Sequence, residues 1–211
     1  MTFNMELLHT AIFYVLYIAT AGATFVVVER MIFYWVSLRD ARRLEAVLTP
    51  ETQHVRDLPA DLVERDSLPA EAVRRMLEAK PQLAERSDME DFAESLFIAA
   101  KAKLHRHIWV LDTIVTAAPL LGLLGTILGI IDTFAALATS GTSDPAAVSQ
   151  GIGTALYATA LGISVALYGL FFHNLFQVRI TAINDHVKIL LLRAGIGQDE
   201  AALPGARRAI A

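Results

Sequence analysis

Two threonines, Thr126 and Thr159, stand in the middle of stretches made mostly of Leu, Ile, Ala and Gly. A hydroxyl offers one proton and two lone pairs. In apolar surroundings a line of hydroxyls can therefore solvate or pass on a proton. Placed on a helix at about 100° per residue, Asp112, Pro119, Gly122, Thr126, Gly129 and Thr133 fall on one stripe. Gly151, Ala155, Thr159, Gly162, Ala166 and Gly169 fall on another. The residues leave two readings open. In one, small residues let two helices approach closely and each Thr bonds its own i−4 carbonyl. In the other, the threonines form a polar line through a pore.

Two acids lie in the same apolar region. An aspartate at mid-bilayer costs about 2.5–3.5 kcal/mol on insertion scales, so it is expected to face water or a partner. Asp112 falls about 21 Å below Thr126 at 1.5 Å per residue, near one membrane surface. Asp132 falls about 9 Å above Thr126 and roughly 120° away around the helix. Each is open to a structural role or to a role in ion access.

The elements that hold these residues follow from charge. All 18 Lys and Arg lie between Arg30 and Arg106 or from Arg179 onward, and residues 1–29 and 107–178 contain none. Basic loops resist translocation, so this map places the N-terminus and one short loop outside and a long loop and the C-terminal tail in the cytoplasm. The chain is 55% hydrophobic, with a mean hydropathy of +0.46, too apolar for an ordinary soluble domain. Three segments reach the roughly 20 apolar residues that a crossing needs: about Leu7 to Val28, about Ile108 to Thr139, and about Ala146 to Val178. The first lacks a basic leader and a small-residue cleavage site, and is read as a retained helix.

The expected organisation is a first transmembrane helix over 1–37, a cytoplasmic helical loop over 38–106, and a second transmembrane helix over 107–140. A third with a cytoplasmic extension covers 141–195, and a loose tail covers 196–211. Pro50, Pro59, Pro69 and Pro81 should cut the loop into short helices. Ser87 with Glu90 fits a capping box, and Met89, Phe92, Leu96, Ala100 and Leu104 recur at helical spacing. That stripe predicts one continuous helix running into the second span. Ile180, Ile183, Val187 and Leu190 make a second apolar stripe, and the two extensions should pack as a bundle.

The chain has no cysteine, which excludes disulfides and thiolate metal sites. His105, His107 and His173 are not spaced as a metal site. No glycine-rich phosphate loop, nucleophile elbow or HExxH motif is present, so no enzyme activity, cofactor or metal is expected. Acids interleave with the basic residues of the loop, as in Arg39, Asp40, Arg42, Arg43 and Glu45, so no nucleic-acid partner is expected.

The run APLLGLLGT, Ala118 to Thr126, and the run ATALG, Ala158 to Gly162, resemble the ExbB/TolQ/MotA proton-channel family, and its ExbB/TolQ branch most closely. The resemblance extends to the three-span layout, the long inner loop and the Glu29–Arg30 pair. It implies an all-α membrane protein with cytoplasmic helical extensions, assembled as a homo-oligomeric, pentameric ring in the inner membrane. Its second and third helices would line a pore holding the single helices of an ExbD- or TolR-like partner, whose aspartate carries the proton. Thr126 and Thr159 match the family threonines that face that aspartate. Pro119, Gly122, Gly125, Gly129 and Gly162 would serve helix packing. The implied function is a proton-channel subunit that converts the proton motive force into energised transport across the outer membrane through a TonB-like partner. A TolQ-like role in envelope integrity and a non-conducting scaffold are the alternatives. One departure stands out. Where the family reads GIAEAL this chain reads GIGTAL, so Thr154 replaces a glutamate, and Asp132 is the acid available to compensate.

Overall fold

The computed structural model describes residues 5–49, 52, 54–83, 85–140 and 144–196. Described residues in regular structure are all helical. The long helices are α1 (Met5–Val47), α4 (Arg86–His105), α5 (Ile108–Ser140) and α6 (Pro145–Ile196), with short α2 (Ala60–Val63) and α3 (Leu68–Ala79) between α1 and α4. Among the described residues, three stretches are long and apolar enough to cross a membrane: Leu7–Val47, Arg86–Thr139 and Pro145–Gly195. The expected tail beyond residue 196 lies outside the described residues.

The chain divides into two compact units. The first takes in Met1–Glu29 and His107–Leu175. Its interior is thin: Ile12, Leu16, Ala118, Leu128, Val165 and Ala166 form the buried cluster, with Leu8, Ile114, Leu121 and Leu161 packed against it. Large apolar side chains point outward instead, among them Ile18 and Phe25 of α1, Leu120 and Phe134 of α5, and Leu167 and Phe171 of α6. An exterior this apolar suits lipid or neighbouring helices, not water.

The second unit takes in Arg30–Arg106 and Phe176–Ala211, and it is built like a soluble bundle. The two stripes read from the sequence supply its core. Leu96, Ala100 and Leu104 of α4 are buried, and Ile180, Ile183, Val187 and Leu190 of α6 are 2% exposed or less. Tyr34 and Leu44 of α1 and Met76 of α3 complete it. Burying each of the Leu, Ile, Val and Met side chains is worth roughly 1.5–3 kcal/mol. The Tyr34 hydroxyl donates to the Leu104 carbonyl at 2.7 Å, and its ring meets Phe176 edge-on at 5.3 Å. The Arg30 guanidinium lies 4.8 Å from the Phe33 ring centre and donates to the Lys103 carbonyl at 3.3 Å. Glu45 of α1 accepts from His186 at 2.5 Å and from Arg193 at 3.5 Å.

The prolines act as expected where they are described. Pro59 precedes α2, Pro69 sits in the first turn of α3, and Pro81 lies in a 3₁₀ turn over Lys80–Gln82. Two local expectations fail. The Ser87–Glu90 capping box does not form: α4 starts at Arg86, Glu85 takes the cap position, and Glu90 pairs with Arg86 at 3.0 Å. The predicted continuous helix into the second span is also broken. Arg106 is extended (ψ 135°) and His107 has φ 66°, a left-handed conformation uncommon outside glycine, so α4 and α5 are separate helices. His107 lies 3.5 Å from Glu29.

Candidate functional site

The seam between α5 and α6 is built by what is missing from its glycines. A Cβ on Gly122 would fall 2.9 Å from the Ala158 carbonyl oxygen and 3.1 Å from the Thr159 Cα. A Cβ on Gly162 would meet the Ala118 carbonyl and lie 3.0 Å from the Gly122 Cα. Backbone thus touches backbone at the crossing. One helical turn along, a Cβ on Gly125 would fall 2.8 Å from the Ala158 Cβ and 3.4 Å from Ile12 of α1. A further turn along, a Cβ on Gly129 would fall 2.9 Å from the Ala155 Cβ and 3.0 Å from the His9 Nε2 of α1. Pro119 sits within α5 just before this crossing. Its ring gives up a backbone donor in the turn where α5 meets Gly162.

Thr126 and Thr159 meet across this seam. Their hydroxyl oxygens are in direct contact. The Thr126 hydroxyl reaches the Gly122 carbonyl at 3.1 Å and the Ala155 carbonyl at 3.4 Å. The Thr159 hydroxyl reaches the same Gly122 carbonyl at 3.1 Å. The two readings of these threonines therefore merge. Thr126 does bond its own i−4 carbonyl, but it also joins a hydroxyl pair linking two helices. Both side chains are half-buried, so the pair is neither sealed in a core nor open on a surface.

The other predicted site residues are not part of this pair. Thr154 is exposed and bonds the Gln150 carbonyl of its own helix at 3.0 Å. Asp112 is exposed, and its backbone carbonyl accepts from Thr116 at 3.1 Å. Asp132 is half-buried, beyond Thr126 along α5. Thr133 extends the hydroxyl line: it donates to the Gly129 carbonyl at 2.7 Å and lies against Gly151.

Sequence reasoning missed His9. The stripes on α5 and α6 cannot say which residue of α1 lies over them. The available signal was a titratable side chain inside the first apolar run.

Comparison with known proteins agrees with this architecture. Residues 64–188, which carry the whole seam except its α1 side, match the model of the MotA/TolQ/ExbB proton channel family. A biopolymer transport protein ExbB homolog of Methanothermobacter thermautotrophicus is 38% identical over 105 residues, covering 50% of this chain and 37% of that relative. The ExbB-like 3 biopolymer transport protein of Synechocystis sp. is 33% identical over 162 residues, covering 74% of this chain and 75% of that protein. The Tol-Pal system protein TolQ of Pseudomonas aeruginosa is 33% identical over 106 residues, covering 49% of this chain and 46% of that protein. The chain thus spans less than half the length of two of these relatives and three quarters of the other. With its apolar helices crossing at a threonine-bearing glycine seam, this multi-pass membrane chain belongs to the MotA/TolQ/ExbB proton channel family.

Proposed function

We propose that the chain is an inner-membrane subunit of a proton-driven motor of the ExbB/TolQ type, with its N-terminus outside and its C-terminus in the cytoplasm. In this reading several copies form a ring, a pentamer by the family resemblance. Their α5 and α6 helices surround the single span of an ExbD- or TolR-like protein. Protons crossing between the ring and that span drive a conformational stroke, and a TonB-like protein passes the stroke to the outer membrane. The work is conduction and movement, with no bond-making chemistry in this chain. One charge moving through about 100 mV supplies about 2.3 kcal/mol, so a few protons drive such a stroke.

The observation that carries this reading is the Thr126–Thr159 hydroxyl pair in a region free of Lys and Arg. Hydroxyls in contact within an apolar lining can solvate a proton on a neighbouring carboxylate without holding a charge of their own. The apolar exterior supports lipid and neighbouring copies as its surroundings. The test is proton flux into liposomes holding the chain with its single-span partner. Flux should appear only with both proteins and should vanish when the partner's membrane aspartate is replaced by asparagine. A complex that assembles but carries no protons would favour a non-conducting scaffold.

Similarity to a TolQ protein keeps a second role in view. A deletion strain separates the two. Loss of energised uptake with an intact envelope supports the TonB-like role, whereas detergent sensitivity with normal uptake supports the TolQ-like one.

A further inference from the structure

His9 is a titratable side chain inside the membrane unit that the hydroxyl pair does not explain. Its ring packs edge-on against Phe13, with centroids 5.2 Å apart, and Phe13 stacks on Tyr157 of α6 at 6.2 Å. Its Nε2 is buried and has no hydrogen-bond partner among the described residues. That nitrogen faces the bare backbone of α5: a Cβ added to Gly129 would lie 3.0 Å from it. Next along α5, the Thr133 hydroxyl bonds the Gly129 carbonyl at 2.7 Å. In the other direction Thr126 lies about 4.5 Å along the axis and roughly 60° around the helix. Of the other titratable groups, Tyr157 of α6 stacks on Phe13 beside His9, and Asp132 follows Gly129 by three residues on α5.

Packing alone does not account for an imidazole here. An apolar ring of the same size would fill the space without leaving a buried nitrogen unsatisfied. Ionisable groups inside membrane spans mark ion pathways more often than structure. Imidazole is also the side chain whose charge changes most readily near neutral pH.

We propose that His9 is a proton-binding site that loads the hydroxyl line of the seam. The Nε2 lone pair takes a proton from hydronium on the side where α1 begins, releasing water, and the ring becomes imidazolium. The N–H bond then breaks, the proton passes to water held at the Thr133 hydroxyl, and the ring returns to neutral. Gly129 keeps this approach open because it has no side chain. The inference rests on the proton-channel reading above and adds the group that feeds it.

Two measurements on the full chain in lipid, with its single-span partner, test the site. The first is ¹⁵N-histidine NMR, with the His9 signal assigned by its loss in His9→Gln. His9 should show both neutral and imidazolium signals as the pH is varied. The second is proton flux across the same pH range. His9→Gln should lower flux by at least about tenfold and flatten its pH profile, with the ring intact by native mass spectrometry. His9→Phe, which fills the same space, should conduct no better than His9→Gln. A His9 that keeps one protonation state throughout overturns the proposal, as does a His9→Gln variant with wild-type flux and pH profile. A wild-type complex without proton flux in which His9 still titrates would overturn the channel reading and leave the proton-binding site standing.

Discussion

Gly122 and Gly162 meet through their backbones: a Cβ on Gly162 would sit 3.0 Å from the Gly122 Cα and 3.2 Å from its nitrogen. Backbone atoms cannot rotate out of the way as a flexible side chain can. The crossing of α5 and α6 is therefore set within one chain, before any contact between copies is made.

Gly162→Leu and Gly122→Leu should accordingly damage the protomer itself. Overpacking typically costs about 1–3 kcal/mol, and more where only backbone can yield. Both variants should give low yield and easy proteolysis of the membrane unit. Gly153→Leu is the control, because a Cβ there meets nothing within 4 Å. Normal protease resistance and melting of Gly162→Leu in detergent would show that the helices do not cross here.

Thr126→Val and Thr159→Val keep the shape and remove the hydroxyls. Loss of such a hydrogen bond costs stability of about 1 kcal/mol, small enough for insertion and assembly to survive. Energised uptake or envelope integrity should nonetheless be lost in each. Thr154→Val should be mild, since Thr154 points about 140° away from Thr159 and bonds only its own helix. Full activity of the Thr126→Val, Thr159→Val double variant, beside a blot showing normal complex, would reduce the pair to packing.

Orientation is testable with single cysteines. Ser149 and Ser87 are both exposed in the protomer. In intact spheroplasts an impermeant thiol reagent should label Ser149→Cys and spare Ser87→Cys, and lysis should expose the second. The reverse pattern would invert the proposed topology. Ser67 would serve poorly as a marker, because it is buried.

In the second unit, Lys103 donates to Glu71 at 2.6 Å, and this hydrogen bond first of all holds the Glu71 carboxyl below the usual carboxylate range. A lowered folded-state value means that protonation opposes folding. The contribution of the pair is complete above the ordinary carboxylate value and is lost as pH falls through the lowered one. Solvent screening keeps it modest, because Lys103 is largely exposed. Acid melts of the wild type should therefore steepen below the ordinary carboxylate range, and Glu71→Gln should remove that part of the slope. Superimposable acid profiles for the two proteins would count against the pair.

Much of this was legible in the sequence because its signals are long and redundant. The map of Lys and Arg gives the spans, and Ile180, Ile183, Val187 and Leu190 declare a buried face by spacing alone. Thr126 and Thr159 could be placed on facing stripes, because a glycine seam has few ways to pack. Three features were not legible, each for a local reason. Nothing at Arg106–His107 carries the glycine or proline that usually announces a break, yet His107 adopts a left-handed conformation. Ser87 had a suitable partner at capping-box spacing, but α4 begins one residue earlier and Glu90 pairs with Arg86. His9 gains meaning only from its contact with Gly129, and periodicity within α1 does not carry that information.

The carbonyl of Gly122 lies within reach of both threonine hydroxyls, and the hydroxyls also reach each other. Two hydrogens thus have more than one way to be placed. Thr159 can donate to the carbonyl while Thr126 donates to Thr159, or the roles can be exchanged. Both arrangements leave no hydrogen unpaired, and they differ in the direction in which the chain of O–H dipoles points. Exchange needs rotation about two Cβ–Oγ bonds and no displacement of either helix. The seam is therefore close-packed in its backbone yet reversible in its polarity, and a charge arriving on either side can turn the dipoles toward itself.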